Sequence, residues 1–196
     1  MVHKKAPSPE NVITNTRYWV KSTVIHYNLC PFAGPVFAGD KVGFEVSIAT
    51  TQEQLLEDCL LAIQQMLATP REEVETSLLI HPHVMNDFAE YNDFLGIIDA
   101  LLEETELAGI VQVASFHPDY CFADSGENDA ANFTNRSPYP MLHLLREDSI
   151  SEAVEEWTER SLDVDQIPVR NIETLRKLGA DILASQLQAC YREGSN

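Results

Sequence analysis

The sequence predicts an α/β fold in one domain: a small, mainly parallel sheet of about four strands flanked by helices, with an extra C-terminal helix. Three observations carry this expectation. The 196 residues are 44% hydrophobic and 22% charged, with 8 Gly and 10 Pro, a composition that excludes a disordered or low-complexity chain. A chain of this size buries about 70% of the surface its unfolded form exposes, so a core needs neither disulfides nor metal. Apolar residues also follow two alternating periods along the chain, in the order strand, helix, strand, helix, strand, which implies right-handed crossovers between parallel strands.

Residues 1–8 are expected to be a flexible tail. Ser8-Pro9 then sets a cap before a proline suited to a first helical turn, and Val12, Thr16, Trp19, Val20 and Val24 follow at helical spacing, predicting a helix from about Pro9 to His26. Two prolines and a glycine in Asn28 to Pro35 break it into a shaped loop. Val42, Phe44, Val46 and Ile48 alternate with small or polar residues, as in a strand with one face more buried than the other. Thr51 and Gln54 form a capping-box pattern before a helix that runs to Pro70. The apolar run Leu78-Leu79-Ile80 predicts a strand covered on both faces, over Thr76 to His81.

Asp87 and Glu90 cap the next helix, which ends near Leu107-Ala108-Gly109, and a strand follows over Ile110 to Phe116. These three strands are expected to form the parallel core, with Met141 to Leu145 added as a fourth. Asp119 to Pro140 has little periodicity, and a loop longer than about 15 residues inside a domain is usually functional. Ser149 and Glu152 predict the cap of a short helix, and Leu175, Leu178, Ile182, Leu183, Leu187 and Cys190 mark one last helix.

Charge and cysteine usage narrow the partners. The 13 basic and 31 acidic side chains leave a net charge of −18, which disfavours nucleic acid and anionic membrane surfaces, since both are bound through clustered Lys and Arg. The adjacent basic pair Lys4-Lys5 falls in the tail. The acidic excess is equally what a salt-adapted cytoplasm selects. No run approaches the roughly 20 apolar residues of a membrane span, and the first residues lack a secretory apolar segment. Cys30, Cys59, Cys121 and Cys190 show no CxxC spacing, so free thiols in a cytoplasm are expected, with a small molecule as partner.

Ligands of open parallel sheets gather beyond the carboxyl ends of the strands. His81, His83, His117 and Asp119 are expected at that edge, with Asn132, Thr134, Asn135, Arg136 and Tyr139 brought there by the long loop. His143 and Arg146 lie on opposite faces of the next strand. Cys30 is either a nucleophile or metal-binding thiolate, or a small buried hydrophobe that fixes its loop. His81, His83 and His117 either hold a divalent transition metal as cofactor or cap backbone carbonyls. Arg136 and Arg146 either grip a carboxylate or phosphate or form structural ion pairs.

The chain resembles a family catalogued as a domain of unknown function, number 1415, found in bacteria and plastid-bearing organisms. The resemblance rests on Asn28-Leu29-Cys30-Pro31-Phe32-Ala33, on Leu79-Ile80-His81-Pro82-His83, on Ala114 to Tyr120, and above all on Asn132-Phe133-Thr134-Asn135-Arg136-Ser137-Pro138-Tyr139-Pro140-Met141-Leu142-His143. His26-Tyr27 and Cys121 depart from the pattern around these motifs. The resemblance implies that the segments belong together and carries no activity with it.

Two classes of function remain. One is an enzyme acting on a small anionic metabolite, with Cys30 or His117 as nucleophile or base, Asp119 beside them, and Asn135, Arg136, Tyr139, His143 and Arg146 binding substrate. The other is a non-catalytic carrier of a metal or small ligand at the same edge. The clustering of thiol, imidazole, carboxylate and guanidinium groups in loops favours the enzyme. GxGxxG, P-loop, GxSxG and HExxH patterns are absent from the sequence, which removes dinucleotide, nucleotide, serine-hydrolase and zinc-protease readings.

Overall fold

Ser8 Oγ accepts from the Asn11 amide and Pro9 occupies the first turn, so helix α1 (Pro9–Trp19) starts where the sequence puts it. In this computed structural model, which describes residues 7–159 and 163–193, α1 runs on as a π-helix over Val20–Ile25. Residues 1–6, which hold most of the expected tail and the Lys4-Lys5 pair, lie outside the described residues. The shaped loop that follows contains a short helix, α2 (Ala33–Ala38). Pro35 does not prevent it, because the first-turn amides of a helix have no intrahelical acceptor to lose.

Strand β1 (Val42–Val46), helix α3 (Gln52–Ala68), strand β2 (Thr76–Ile80), helix α4 (Phe88–Glu104) and strand β3 (Val111–Phe116) follow in the predicted order. Thr51 caps α3 through the Gln54 amide, and Asp87 caps α4 through the Ala89 and Glu90 amides. Strand β4 (Met141–Arg146) does not join the edge of a parallel core. It lies between β2 and β3 and runs against both, so the sheet order is β1-β2-β4-β3 and the sheet is mixed. The reason is connectivity. The long loop leaves the carboxyl end of β3 and β4 begins at that same edge, with Met141 opposite both Ile80 and Phe116. An antiparallel neighbour can be joined on one edge without a crossover.

Helix α5 (Glu147–Glu159) starts directly after β4, two residues before the expected Ser149 cap. The single last helix is two, α6 (Gln166–Leu178) and α7 (Ala180–Glu193). They are separated at Gly179, whose φ of +89° suits a residue without Cβ and ends the helix there.

Each sheet face has its own core. Leu79, Leu142 and Leu144 pack with Leu55, Ile63 and Met66 of α3 and Phe94 and Ile98 of α4. Leu78, Ile80 and Met141 pack on the other face with Val12 and Trp19 of α1 and Cys190 of α7. A third cluster, Leu29, Ala130, Phe133, Leu175 and Leu183, ties the long loop to α6 and α7.

Tyr91 of α4 completes the sheet. Its hydroxyl accepts from the Phe116 amide at 3.1 Å and donates to the Met141 carbonyl at 2.9 Å, standing where a ladder bond between β3 and β4 would otherwise close. Replacing Tyr91 by Phe leaves a buried donor and a buried acceptor without partners. The expected cost is about 1–3 kcal/mol of folding free energy, read as a lower urea midpoint at unchanged slope. An unchanged midpoint would mean that the two strands pair directly once the hydroxyl is gone.

Candidate functional site

The carboxyl edge assembles the expected residues but engages them with the main chain. His81 and His117 are both fully buried beside Tyr91, their ring centroids 5.8 and 5.2 Å from its ring. His117 Nδ1 accepts from the Asp119 amide at 3.0 Å, so Nε2 carries the hydrogen that it donates to the Met85 carbonyl at 3.1 Å. His81 is the opposite tautomer. Nδ1 donates to the Val84 carbonyl at 3.1 Å, and Nε2 has no hydrogen-bond partner among the described residues. Both rings are held neutral by desolvation, which pushes His81 down to about 4 and lowers His117 as well. The carbonyl bonded to His117 belongs to Met85, a non-glycine residue at φ +56°. His117 therefore supports a left-handed turn rather than facing a substrate.

The long motif behaves in the same way. Asn132 is buried and holds the loop together, its Oδ1 accepting from the Phe122 amide and Ser125 hydroxyl and its Nδ2 donating to the Gly126 carbonyl. Asn135 Nδ2 donates to the Ser115 carbonyl, while its own carbonyl accepts from the His117 amide. Arg136 donates to the carbonyls of Tyr120 and Glu127 and lies over the Phe133 ring at 4.8 Å. Of the two accounts of Arg136, the structure gives neither the ion pair with a loop carboxylate nor a vacant fork. Two of its donors clamp main chain, and Asp129 pairs instead with Arg176 at 2.6 Å. The hydroxyl of Tyr139 accepts from Asn15 Nδ2 at 2.8 Å, fastening the motif to α1.

Asp119 is exposed. His83 is half-buried, and among the described residues no group of three His, Cys, Asp or Glu side chains is arranged to hold a metal ion. The expected metal set of His81, His83 and His117 is thus not assembled: both nitrogens of His117 and Nδ1 of His81 are turned to main-chain carbonyls and an amide. Cys30 does not meet His117 and Asp119 either. It lines a cavity against the opposite face of the sheet.

That cavity has a volume of about 390 Å³. Its floor is the α1-facing side of the sheet, with Val42, Thr76, Leu78, Phe116, His143 and Leu145. Its walls come from Trp19 and the π-helix residues Val20 and Val24, from Cys30, Phe32 and Val36, and from Ile150 and Ala153 of α5. The wider turn of a π-helix is a local departure often found beside functional sites. Phe32 meets Trp157 of α5 edge-on at 5.4 Å, so the shaped loop and α5 close one side together.

Few polar groups interrupt this lining. The Thr76 hydroxyl donates to the Leu144 carbonyl at 2.6 Å, so it accepts from His143 Nε2 at 2.8 Å and leaves the lone pair of that ring on Nδ1. Burial lowers His143 to about 4. Arg146 Nη2 donates to the carbonyls of Met66, Thr69 and Val74, closing the open end of α3 as basic groups at helix C-termini do. Arg146 thus sits at the amino end of β2, away from the carboxyl edge. Periodicity missed Trp19, Thr76 and Ser149 as lining residues. Trp19 reads as helix core, Thr76 as a strand end and Ser149 as a cap, and no local pattern marks a residue whose neighbour is empty space.

The thiols differ. Cys59 and Cys190 are buried on helix faces, and desolvation pushes them up to about 12 and about 11. Burial also raises Cys30, but the amides of Phe32 and Ala33 reach its sulfur and oppose that rise.

A family model described as a protein of unknown function, DUF1415, matches residues 11–185. No curated protein and no solved structure matches the chain. Among the described residues no helix is long and apolar enough to cross a membrane.

Two outcomes follow from these environments. His81 and His143 take up a proton near 6.5 when unfolded and only near 4 when folded, so the unfolded chain binds more protons between those values. Their contribution to stability is complete above pH 6.5 and is lost as the pH falls toward 4. Urea midpoints measured across this window should fall with acid, and more shallowly in His81→Asn. Alkylation at neutral pH with peptide mapping should modify Cys30 before Cys59 and Cys190, and the reverse order would make Cys30 an inert packing residue.

Proposed function

The chain belongs to that family of proteins of unknown function, and we propose from its geometry that it binds a small molecule in the cavity between the sheet, α1, α2 and α5. The observation that carries this reading is the cavity itself: about 390 Å³, lined largely by apolar side chains and containing a thiol and an imidazole. A concave apolar site with a few placed polar groups is the usual form of a ligand pocket.

A carrier reading and an enzyme reading share this site. The enzyme reading uses Cys30 as nucleophile, with the unprotonated Nδ1 of His143 lining the same cavity. The carboxyl edge offers a substrate less, because His117 and Arg136 already bond main chain and the His81 ring is fully buried. Four free cysteines favour a reducing, cytoplasmic setting.

Filling the cavity tests the reading. Ala153→Trp should abolish enhancement of an environment-sensitive apolar dye while the melting temperature holds or rises. Undiminished dye binding in a folded variant would place the binding elsewhere.

A further inference from the structure

One nitrogen on the cavity floor has nothing to bond. His143 stands opposite Leu78 in the sheet, so its ring projects from the α1-facing side, among the lining residues. Its Nε2 hydrogen goes to Thr76 Oγ at 2.8 Å, and Nδ1, left with a lone pair, has no hydrogen-bond partner among the described residues. Unlike Nε2 of His81, this atom is not sealed by packing. Because β4 is an interior strand between β2 and β3, the space that Nδ1 opens to is the cavity.

The rest of the lining offers carbon and no counter-charge. Trp19 Nε1 and Ser149 Oγ are sealed within the protein, so those two residues turn carbon to the cavity. The Arg146 guanidinium is spent on carbonyls at the end of α3, on the other face of the sheet. Glu75 is already engaged by Arg71 at 2.9 Å, and burial keeps the Cys30 thiol uncharged. A charged ligand would lie there unpaired, at large cost. A water on Nδ1 needs two to four polar partners, more than so apolar a lining provides.

The shape is broad. The floor runs across all four strands, from Val42 through Leu78 and His143 to Phe116, three interstrand spacings or about 14 Å. Rings from three separate elements, Trp19, Phe32 and Phe116, surround it, and Phe116 lies 6.1 Å from the His143 ring. Aromatic walls add ring contacts to the area they bury, which favours a flat ring system over a chain. At about 30 Å³ per water-sized group, the volume of about 390 Å³ holds roughly a dozen such groups, the size of two fused rings.

Resting on the cavity reading above, we propose that the ligand is a neutral aromatic molecule of about two fused rings, carrying one hydroxyl or ring N–H that it donates to His143 Nδ1. Thr76 is then a positioning residue, since its hydroxyl fixes the tautomer that leaves Nδ1 free to accept.

The test is calorimetric titration of the full chain with beta-naphthol, its methyl ether, beta-naphthoate and heptanol, a chain alcohol of matched hydrophobicity. It is repeated on His143→Phe, confirmed folded by circular dichroism. Naphthol should bind more tightly than naphthoate and heptanol. His143→Phe should lower the affinity ratio of naphthol to ether by about tenfold, the effect of leaving a buried hydroxyl unpaired. In the parent chain, nitrogen NMR should show the Nδ1 resonance of His143 shifting with naphthol and staying in place with the ether, a readout that does not depend on the variant's folding. A ratio unchanged in the folded variant, or an Nδ1 resonance that ignores naphthol, overturns the donor assignment and leaves the cavity reading intact. Naphthoate matching naphthol overturns the neutral assignment, and heptanol matching it overturns the aromatic one. Absence of binding by all four probes overturns the cavity reading together with this inference.

Discussion

The structure depends on satisfying the main chain of one irregular segment. Residues 117–140 cross the carboxyl edge of the sheet with little regular structure, and buried backbone groups must find partners. Asn132, Arg136 and the ring of His117 supply them, and Asn135 and Tyr91 satisfy the strand ends on either side. The most distinctive stretch of sequence is therefore a scaffold whose polar side chains are committed to amides and carbonyls. Ser137 follows the same rule, its hydroxyl donating to the Tyr139 carbonyl at 2.6 Å.

Closing that edge moves the available space. With the segment docked on β3 and β4 and fastened to α1 and α7, the remaining volume lies on the α1 side of the sheet, toward the amino ends of β2 and β3. The walls there are unlike the rest of the core. They include a π-helix, a six-residue helix and α5, which contains no fully buried residue. Elements held by so few buried side chains are the ones that open at low free energy. The cavity thus has a rigid floor and a compliant roof.

Local signals were read well because local physics sets them. Ser8, Thr51 and Asp87 each cap the helix they precede, and the alternation from Val42 and the run at Leu78 are both strands. Relations between distant segments were not legible. The sequence marks Met141 to Leu145 as a fourth strand, but not that it stands between β2 and β3. Equally, His117 at a strand end looks the same in sequence whether its ring faces solvent or the Met85 carbonyl. Ser149 illustrates a third case. A capping pattern was present, yet the helix began at Glu147 because β4 delivers the chain there without a turn.

Placing the last strand in the interior of the sheet has a consequence for synthesis. Until residue 146 leaves the ribosome, β2 and β3 each present an open edge where β4 will lie, and β2 carries the run Leu78-Leu79-Ile80. Between completion of β2 and completion of β4 lie 66 residues (146 − 80), or roughly 3–13 s at bacterial-to-eukaryotic elongation rates of about 5–20 residues per second. An exposed apolar edge is a template for pairing with a neighbouring nascent chain.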